Sequence, residues 1–183
     1  MLVSMNRVEL HFHALPGVDD GPATIDASLD LLSVAATEDT GTVVATPHVR
    51  PDFLTDVSDL AERVRELQSA VDAARLPVSV RRGGELGHEM VGRLSQDELE
   101  TIAQGPPHAR WLLIEAAFEL IAEGLLRAVS SDAHGPTRPP LLGEARAQLI
   151  QGGIPPAVYN SLIGGCPRRL LARGVPSAAM RVA

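Results

Sequence analysis

The chain has 183 residues, of which 45% are hydrophobic, and it carries 16 basic and 23 acidic residues for a net charge of −7. This length and apolar fraction predict one globular domain over residues 1–183 and exclude a disordered chain. The negative charge argues against a nucleic-acid-binding surface, which needs a basic stripe. The single cysteine, Cys166, excludes an internal disulfide and favours a reducing cytoplasm. We expect neither a membrane span nor a signal peptide, because no apolar run is long enough.

Strands and helices alternate along the predicted chain. Strands are predicted at residues 7–13, 42–46, 77–81, 111–114 and 126–130. Helices are predicted at residues 24–39, 56–75, 141–151 and 155–171, with short helical pieces after Ser95 and over 116–125. Apolar residues at helical spacing mark the first two helices, Thr24 is a candidate N-cap of the first, and Ser95 with Glu98 matches a capping box. The last long helix is expected to break at Gly164 and Gly165. Such alternation predicts a mostly parallel sheet or a barrel.

Two histidines, His11 and His13, lie one residue apart on the first predicted strand. Side chains alternate between the faces of a strand, so both imidazoles point the same way and can bind one metal ion together. Imidazole suits zinc, iron and manganese, whereas carboxylates suit harder cations. The alternative interpretation is a half-buried strand whose histidines bind nothing.

The other candidate ligands also fall at the ends of predicted strands or in the loop after the first one. They are Asp19, Asp20, His48, Glu85, Glu115, Asp132 and His134. The carboxyl ends of parallel strands meet at one edge, where active sites lie in β/α folds. Each residue alone has an ordinary alternative, such as a turn former for an aspartate before glycine. Their common location favours a metal site, to which Glu9 is a candidate second-layer partner.

Five segments resemble the motifs of the polymerase and histidinol phosphatase (PHP) domain. They are residues 11–21 (HFHALPGVDDG), 45–48 (ATPH), 84–86 (GEL), 113–115 (LIE) and 131–134 (SDAH). Within that group, the sequence resembles the capsule-type, manganese-dependent bacterial protein tyrosine phosphatases of exopolysaccharide synthesis. The resemblance runs from about residue 7 to 171. It implies an α/β fold, namely a distorted, incomplete TIM-like (β/α) barrel of the PHP type.

The same resemblance implies a centre of two or three divalent ions, manganese first, with iron and zinc as alternatives. It assigns eight ligands to these ions: His11, His13, Glu85 and Asp132 at the first, Asp20, His48 and His134 at the second, and Glu115 with Glu85 at the third. Arg50 and Arg138 resemble arginines that face the phosphate, for which a guanidinium fork is suited. The implied reaction is hydrolysis of phosphotyrosine by a metal-bound hydroxide. The implied substrate is a protein such as a bacterial tyrosine kinase.

The sequence departs from the family pattern at two points. The family begins its first motif with aspartate, where this chain has Glu9. Between the strand that ends at Glu115 and the next predicted strand, which leads to Ser131, the family has a long stretch with a His-X-Glu-Arg motif, whose histidine completes the third metal site. Only residues 116–125 stand there in this chain, which is near the minimum for a parallel crossover. We expect strand edges exposed by the short segment to be covered by the C-terminal helices or by a partner chain in a homo-oligomer.

Two alternatives to a tyrosine phosphatase remain open. The short segment favours a degenerate PHP-like module that binds metal and acts in regulation, with weak or no catalysis. Another metal-dependent hydrolase, such as an amidohydrolase, is the second alternative. All 16 basic residues are arginine, which excludes a carbamylated-lysine metal bridge and argues against that second alternative.

Overall fold

The structure, a computed structural model, describes residues 7–114, 128, 130–140, 142–143 and 155–174. Strands in these ranges are β1 (Arg7–Phe12), β2 (Thr40–Ala45), β3 (His48–Val49), β4 (Ser79–Arg82), β5 (Glu85–Leu86) and β6 (Leu113–Ile114). Helices are α1 (Ile25–Thr37), α2 (Leu60–Ala73), α3 (Gln96–Ile102), α4 (Pro156–Asn160) and α5 (Cys166–Arg173). A 3-10 turn spans His88–Met90, and a π-helical segment, Ser161–Gly165, joins α4 to α5.

The strands form two parallel sheets, with the orders β1-β2-β4 and β3-β5-β6. The predicted α/β class and parallel pairing are therefore confirmed. The strands in the described ranges do not close into a barrel, so the TIM-like form stays a prediction. No helix within those ranges is long and apolar enough to cross a bilayer.

Two short strands that the sequence did not predict carry candidate ligands. β3 begins with His48 and pairs with β5 so that His48 lies opposite Glu85. Pro47 separates β3 from β2, because proline has no N–H to donate to the ladder. The chain between β4 and β5 packs so closely that a Cβ on Gly83 would lie 2.6 Å from Val44 Cγ1. His48 and Glu85 therefore each lie on a short separate strand, the first after the end of β2 and the second after the end of β4.

Capping residues place the starts of α1 and α3 as the sequence predicts. The Thr24 side chain accepts a hydrogen bond from Ala27 N, and α1 begins at the next residue. Ser95 and Glu98 form the predicted capping box of α3, each side chain accepting from the other's backbone N–H. These caps satisfy N–H groups that the first helical turn leaves without partners.

The second long helix is shorter than predicted. It was expected over residues 56–75, and α2 spans Leu60–Ala73. Asp56 accepts a hydrogen bond from Ser58 N at 2.9 Å, and this local turn delays the start of the helix. At the other end, Arg75 has a φ of 55°, a left-handed conformation that stops helical propagation.

Two further predictions need correction. Of the strand expected over 111–114, only β6 is formed, because Trp111 forms an antiparallel bridge with Gln104. The helix expected over 155–171 does not break at its two glycines; it passes through the π-helical segment, whose wider turns suit residues without a Cβ. The elements predicted at 116–125, 126–130 and 141–151 lie outside the described residues, apart from 128, 130, 142 and 143.

Apolar packing covers both faces of the first sheet. Val43 packs in the main core with residues of α1 and α2, among them Leu32 and Leu67. Its neighbour Val44 faces the other way and packs with residues that include Leu170 of α5. The first sheet therefore lies between two apolar layers, and this packing holds the carboxyl end of β1 in place.

Candidate metal centre

The two histidines at the end of β1 point to the same place, as strand alternation predicts. Their Nε2 atoms lie 3.1 Å apart. His13 is fully buried, whereas His11 is partly exposed. Two imidazole nitrogens so close together are suited to hold one cation between them.

A first cluster forms around this pair. Glu85 Oε2 lies 3.1 Å from His11 Nε2 and 3.4 Å from His13 Nε2. Asp132 Oδ1 lies at the same two distances, 3.1 Å and 3.4 Å. Of the four residues that the resemblance assigns to the first ion, the two carboxylates therefore each contact both histidines.

A second cluster shares His13 with the first. One ligand atom from each of His13, Asp20, His48 and His134 lies within 4.8 Å of the others. Asp20 Oδ1 is 3.2 Å from His134 Nε2 and 3.5 Å from His48 Nε2. Glu85 Oε2 is 2.9 Å from His48 Nδ1, which places Glu85 against both clusters. The arrangement offers neighbouring positions for two cations.

Backbone contacts bring the late part of the chain to β1. His13 N donates to Ala133 O at 2.9 Å, and Ala133 forms an isolated parallel bridge with Phe12. Asp132 and His134 flank Ala133 and so lie beside the two histidines of β1. Asp132 has a φ of 52°, a left-handed conformation that is uncommon for a residue other than glycine. Such local strain is concentrated at functional sites.

Hydrogen bonds fix the orientation of two imidazoles. His13 Nδ1 lies 2.7 Å from Asp19 Oδ2, and His134 Nδ1 lies 2.8 Å from the carbonyl oxygen of Asp132. In a neutral imidazole whose Nδ1–H donates to oxygen, the Nε2 lone pair is free for a metal. In both residues Nε2 is the nitrogen that faces the clusters.

Asp19 has a larger role than the turn former considered from the sequence. Besides its contact with His13, it accepts hydrogen bonds from Gly21 N and His48 N, each at 3.0 Å. It is almost fully buried, and it ties the loop after β1 to β3 and to a central ligand. A carboxylate close after a His-X-His pair was the available signal, but sequence alone does not distinguish it from Asp20.

Glu9 supports the site in a way that the sequence did not specify. Its Oε2 accepts a hydrogen bond from Ser131 N at 2.8 Å, one residue before Asp132. Burial raises the pKa of Glu9 to about 7. This contact holds the strained segment against β1, so Glu9 positions the backbone of that segment.

Strong electrostatic coupling accompanies this packing. Burial would raise the pKa of Glu85, but the close imidazoles of His11, His13 and His48 hold it well below its usual range. Burial would lower the pKa of His13, but the close carboxylates of Asp132, Asp19 and Glu85 outweigh this effect and raise the pKa to about 10. Glu85, Asp19 and Asp132, whose pKa values all lie below the usual range, are therefore ionised at neutral pH. They provide the negative charge that a divalent cation needs, and such a cation would displace the protons of the imidazoles.

The residues present fit a metal centre. Four buried atoms facing the clusters have no hydrogen bond of acceptable geometry within the described ranges: Glu85 Oε2, Asp132 Oδ1, His48 Nδ1 and His134 Nε2. A buried polar atom left in this state costs about 1–3 kcal/mol. A mixed set of imidazole nitrogens and carboxylate oxygens suits manganese, iron or zinc, and coordination would satisfy all four atoms.

The two predicted arginines have different surroundings. Arg138 is 47% exposed; its Nη2 donates to Asp132 Oδ2, and its Nη1 lies 3.9 Å from Asp20 Oδ2. Its guanidinium therefore lies beside ligands of both clusters. Arg50 follows β3 and pairs through Nε with Asp52 at 2.8 Å and Glu89 at 3.3 Å.

The structure brings seven of the eight predicted ligands together, and Glu115 lies outside the described residues. One aromatic residue at the site was not predicted. The ring of Phe53 stacks on His48, with centroids 5.3 Å apart and planes at 16°, and the residue is 40% exposed. It lies in a loop, where no periodicity marks it as functional.

Asp19→Asn is expected to weaken metal affinity about 10- to 100-fold, because a neutral amide polarises His13 less and cannot accept all of the same hydrogen bonds. Competition with a chromophoric chelator measures this affinity. Asp30→Asn, at an exposed position on α1, is the matched control and should leave it unchanged. Equal affinities of the two variants would contradict the role of Asp19.

Similar proteins are known. A family model described as "Capsular polysaccharide synthesis, CpsB/CapC" matches residues 7–119. A Staphylococcus aureus protein named "Putative tyrosine-protein phosphatase CapC" is 30% identical over 111 residues, which are 59% of this chain and 42% of that protein.

A solved structure is also similar. It comes from work on YwqE from Bacillus subtilis and CpsB from Streptococcus pneumoniae, described as metal-dependent tyrosine phosphatases. The TM-score is 0.51 at 24% identity, over 66% of this chain and 49% of that one. This likeness shows a shared fold. The chain spans less than half the length of both relatives.

Proposed function

The chain belongs to the CpsB/CapC family of capsular polysaccharide synthesis proteins, and from this premise we propose that it is a metal-dependent phosphatase acting on phosphotyrosine. The observation that carries the proposal is the convergence of seven predicted ligands into two clusters that share His13. The names of its relatives, which describe tyrosine phosphatases and metal dependence, support the same activity.

We propose manganese as the metal, with iron and zinc as alternatives that the same donors accept. His11, His13, Glu85 and Asp132 would hold one ion, and Asp20, His48 and His134, with His13, a second. Glu115 together with Glu85 is the proposed pair for a third ion. The short distances within the clusters support the first two assignments.

When bound, the ions supply an activated water and Lewis-acid stabilisation of the phosphoryl charge. The protein groups orient the substrate. Arg138 lies beside both clusters, where its guanidinium fork would donate hydrogen bonds to phosphoryl oxygens. Asp132 accepts a hydrogen bond from Arg138 Nη2 and so holds that guanidinium in place. Arg50, held by Asp52 and Glu89 after β3, is the second proposed arginine for the phosphate.

Several finer features belong to the same proposal. We propose that residues 1–183 form one PHP-like domain with a distorted, incomplete barrel, which the likeness to a CpsB-type structure supports. The proposed substrate is a phosphotyrosine protein such as a bacterial tyrosine kinase. A cytoplasmic location is proposed from the single cysteine. A homo-oligomer that covers the open strand edges stays a prediction.

Phe53→Ala is expected to raise the KM for a phosphotyrosine peptide about 2- to 10-fold, because an aromatic pair contributes about 0.5–1.5 kcal/mol beyond its buried area. The exposed ring at the mouth of the site is placed to contact the substrate's phenyl ring. Steady-state kinetics check this, with a phosphoserine peptide as the control substrate. An equal change in KM for both peptides would contradict selective contact with the aryl group.

The proposed activity is tested by substrate class. Purified protein loaded with manganese should release phosphate from a phosphotyrosine peptide, lose this activity when stripped of metal, and regain it on reloading. A phosphoserine peptide and an N-acyl amino acid serve as comparison substrates. Retained metal without turnover would favour the regulatory module, and hydrolysis of the amide would favour another metal-dependent hydrolase.

A further inference from the structure

A basic cavity lies away from the metal centre, on the side of the first sheet that α5 covers. Its volume is about 360 Å³, and none of the candidate metal ligands lines it. None of its lining residues is acidic, and four of them are arginines: Arg81, Arg82, Arg110 and Arg168. They come from β4, from the loop after α3 and from α5. The fold thus gathers positive charge from three separate elements around one space.

Two of these four arginines have no ion pair within the described part of the chain. Arg110 pairs with Glu100, at 3.1 Å between Nε and Oε2, and donates to Ala103 O at 3.0 Å. Arg81 and Arg82 form no ion pair with any residue in the described part of the chain. Burial and then the nearby Arg110 lower the pKa of Arg82. Like charges held so closely are unfavourable unless an anion lies among them.

The buried residue Gln104 also lines this cavity. Gln104 is 2% exposed, and its Nε2 donates to Leu10 O at 3.0 Å. Its Oε1 has no hydrogen-bond partner among the described residues. The cavity therefore offers several guanidinium donors beside a buried amide.

We propose that this cavity binds a triphosphate chain, either free or as part of a nucleotide. Planar guanidinium groups match phosphate oxygens in pairs, and several of them suit a chain of phosphates better than one group. The volume is within the range of small-molecule sites. The site is separate from the metal centre, so its occupancy does not depend on the proposed catalysis.

Isothermal titration calorimetry of the metal-loaded protein with inorganic triphosphate tests the proposal. We expect saturable binding that Arg82→Gln weakens about tenfold or more, the effect of losing a charge-assisted hydrogen bond. Arg65→Gln, at an exposed position on α2, is the matched control and should bind normally. Arg168→Gln provides an independent second variant from another element, in case Arg82→Gln fails to fold.

The metal centre is the other place where a phosphate could bind, and two controls separate the sites. His13→Ala, which disrupts the metal centre, should leave triphosphate binding unchanged, and the metal content measured after titration shows whether the probe has removed ions. Competition by ATP distinguishes the sources, since tighter binding of ATP indicates a nucleotide and equal binding a free chain. Absence of saturable binding, equal affinity of the Arg82 and Arg65 variants, or loss of binding in His13→Ala would overturn the proposal.

Discussion

His13→Ala should reduce hydrolysis of a phosphotyrosine peptide by about 10³-fold or more, the scale of losing several stabilising groups at once. His13 is the one residue that both clusters of described ligands share. It is fully buried, so an alanine leaves a space at the centre of the site and two sets of ligands without their common member. We expect the metal content of the purified variant to fall together with kcat/KM.

His108→Ala is the matched control, because His108 is exposed and follows two prolines outside both clusters. This variant should keep full metal content and activity. Circular dichroism checks that both variants are folded. A His13→Ala protein that retained its metal and its turnover would contradict the shared position of His13.

Arg138→Ala should lower kcat about 10²- to 10³-fold while the bound metal is retained, as removal of one preorganised donor to a developing charge does. Its guanidinium lies between Asp132 and Asp20, next to the space where a phosphoryl group would lie. Arg138→Lys should recover only part of this loss, because an ammonium keeps the charge but lacks the planar fork. Steady-state kinetics and metal analysis on the same samples measure the two effects separately.

Arg65→Ala, which removes an arginine from an exposed part of α2, controls for the change in net charge. Its kcat should match that of the unaltered protein. If Arg138→Ala lost metal in proportion to activity, Arg138 would act by positioning Asp132. If kcat did not change, the proposed contact with phosphate would be wrong.

Local chemistry made much of this fold predictable from the sequence. The stripes of α1 and α2, the cap at Thr24 and the capping box at Ser95 depend on residues close together in the chain. The convergence of His11, His48 and Asp132 was also predictable, because parallel strands share their carboxyl ends. In both cases general rules of helix capping and strand geometry suffice, so the prediction does not require knowledge of the tertiary contacts.

Other features depend on contacts that are distant in sequence. The position of Glu85 on a separate strand follows from close packing at Gly83, which periodicity does not reveal. Asp19 and Glu9 act through backbone groups at His48 and Ser131, and a sequence does not show which N–H a carboxylate will meet. A closed barrel would depend on the pairing of edge strands in the same way, and the described strands do not form one.

The proposed metal centre is tested most directly by anomalous diffraction from crystals of the manganese-loaded protein, recorded at the manganese absorption edge. We predict an anomalous peak within coordination distance of His13 Nε2 and Glu85 Oε2, and a second one near Asp20 and His134. A fully loaded crystal without a peak at His13, or with its peaks only at surface carboxylates, would contradict the shared metal centre.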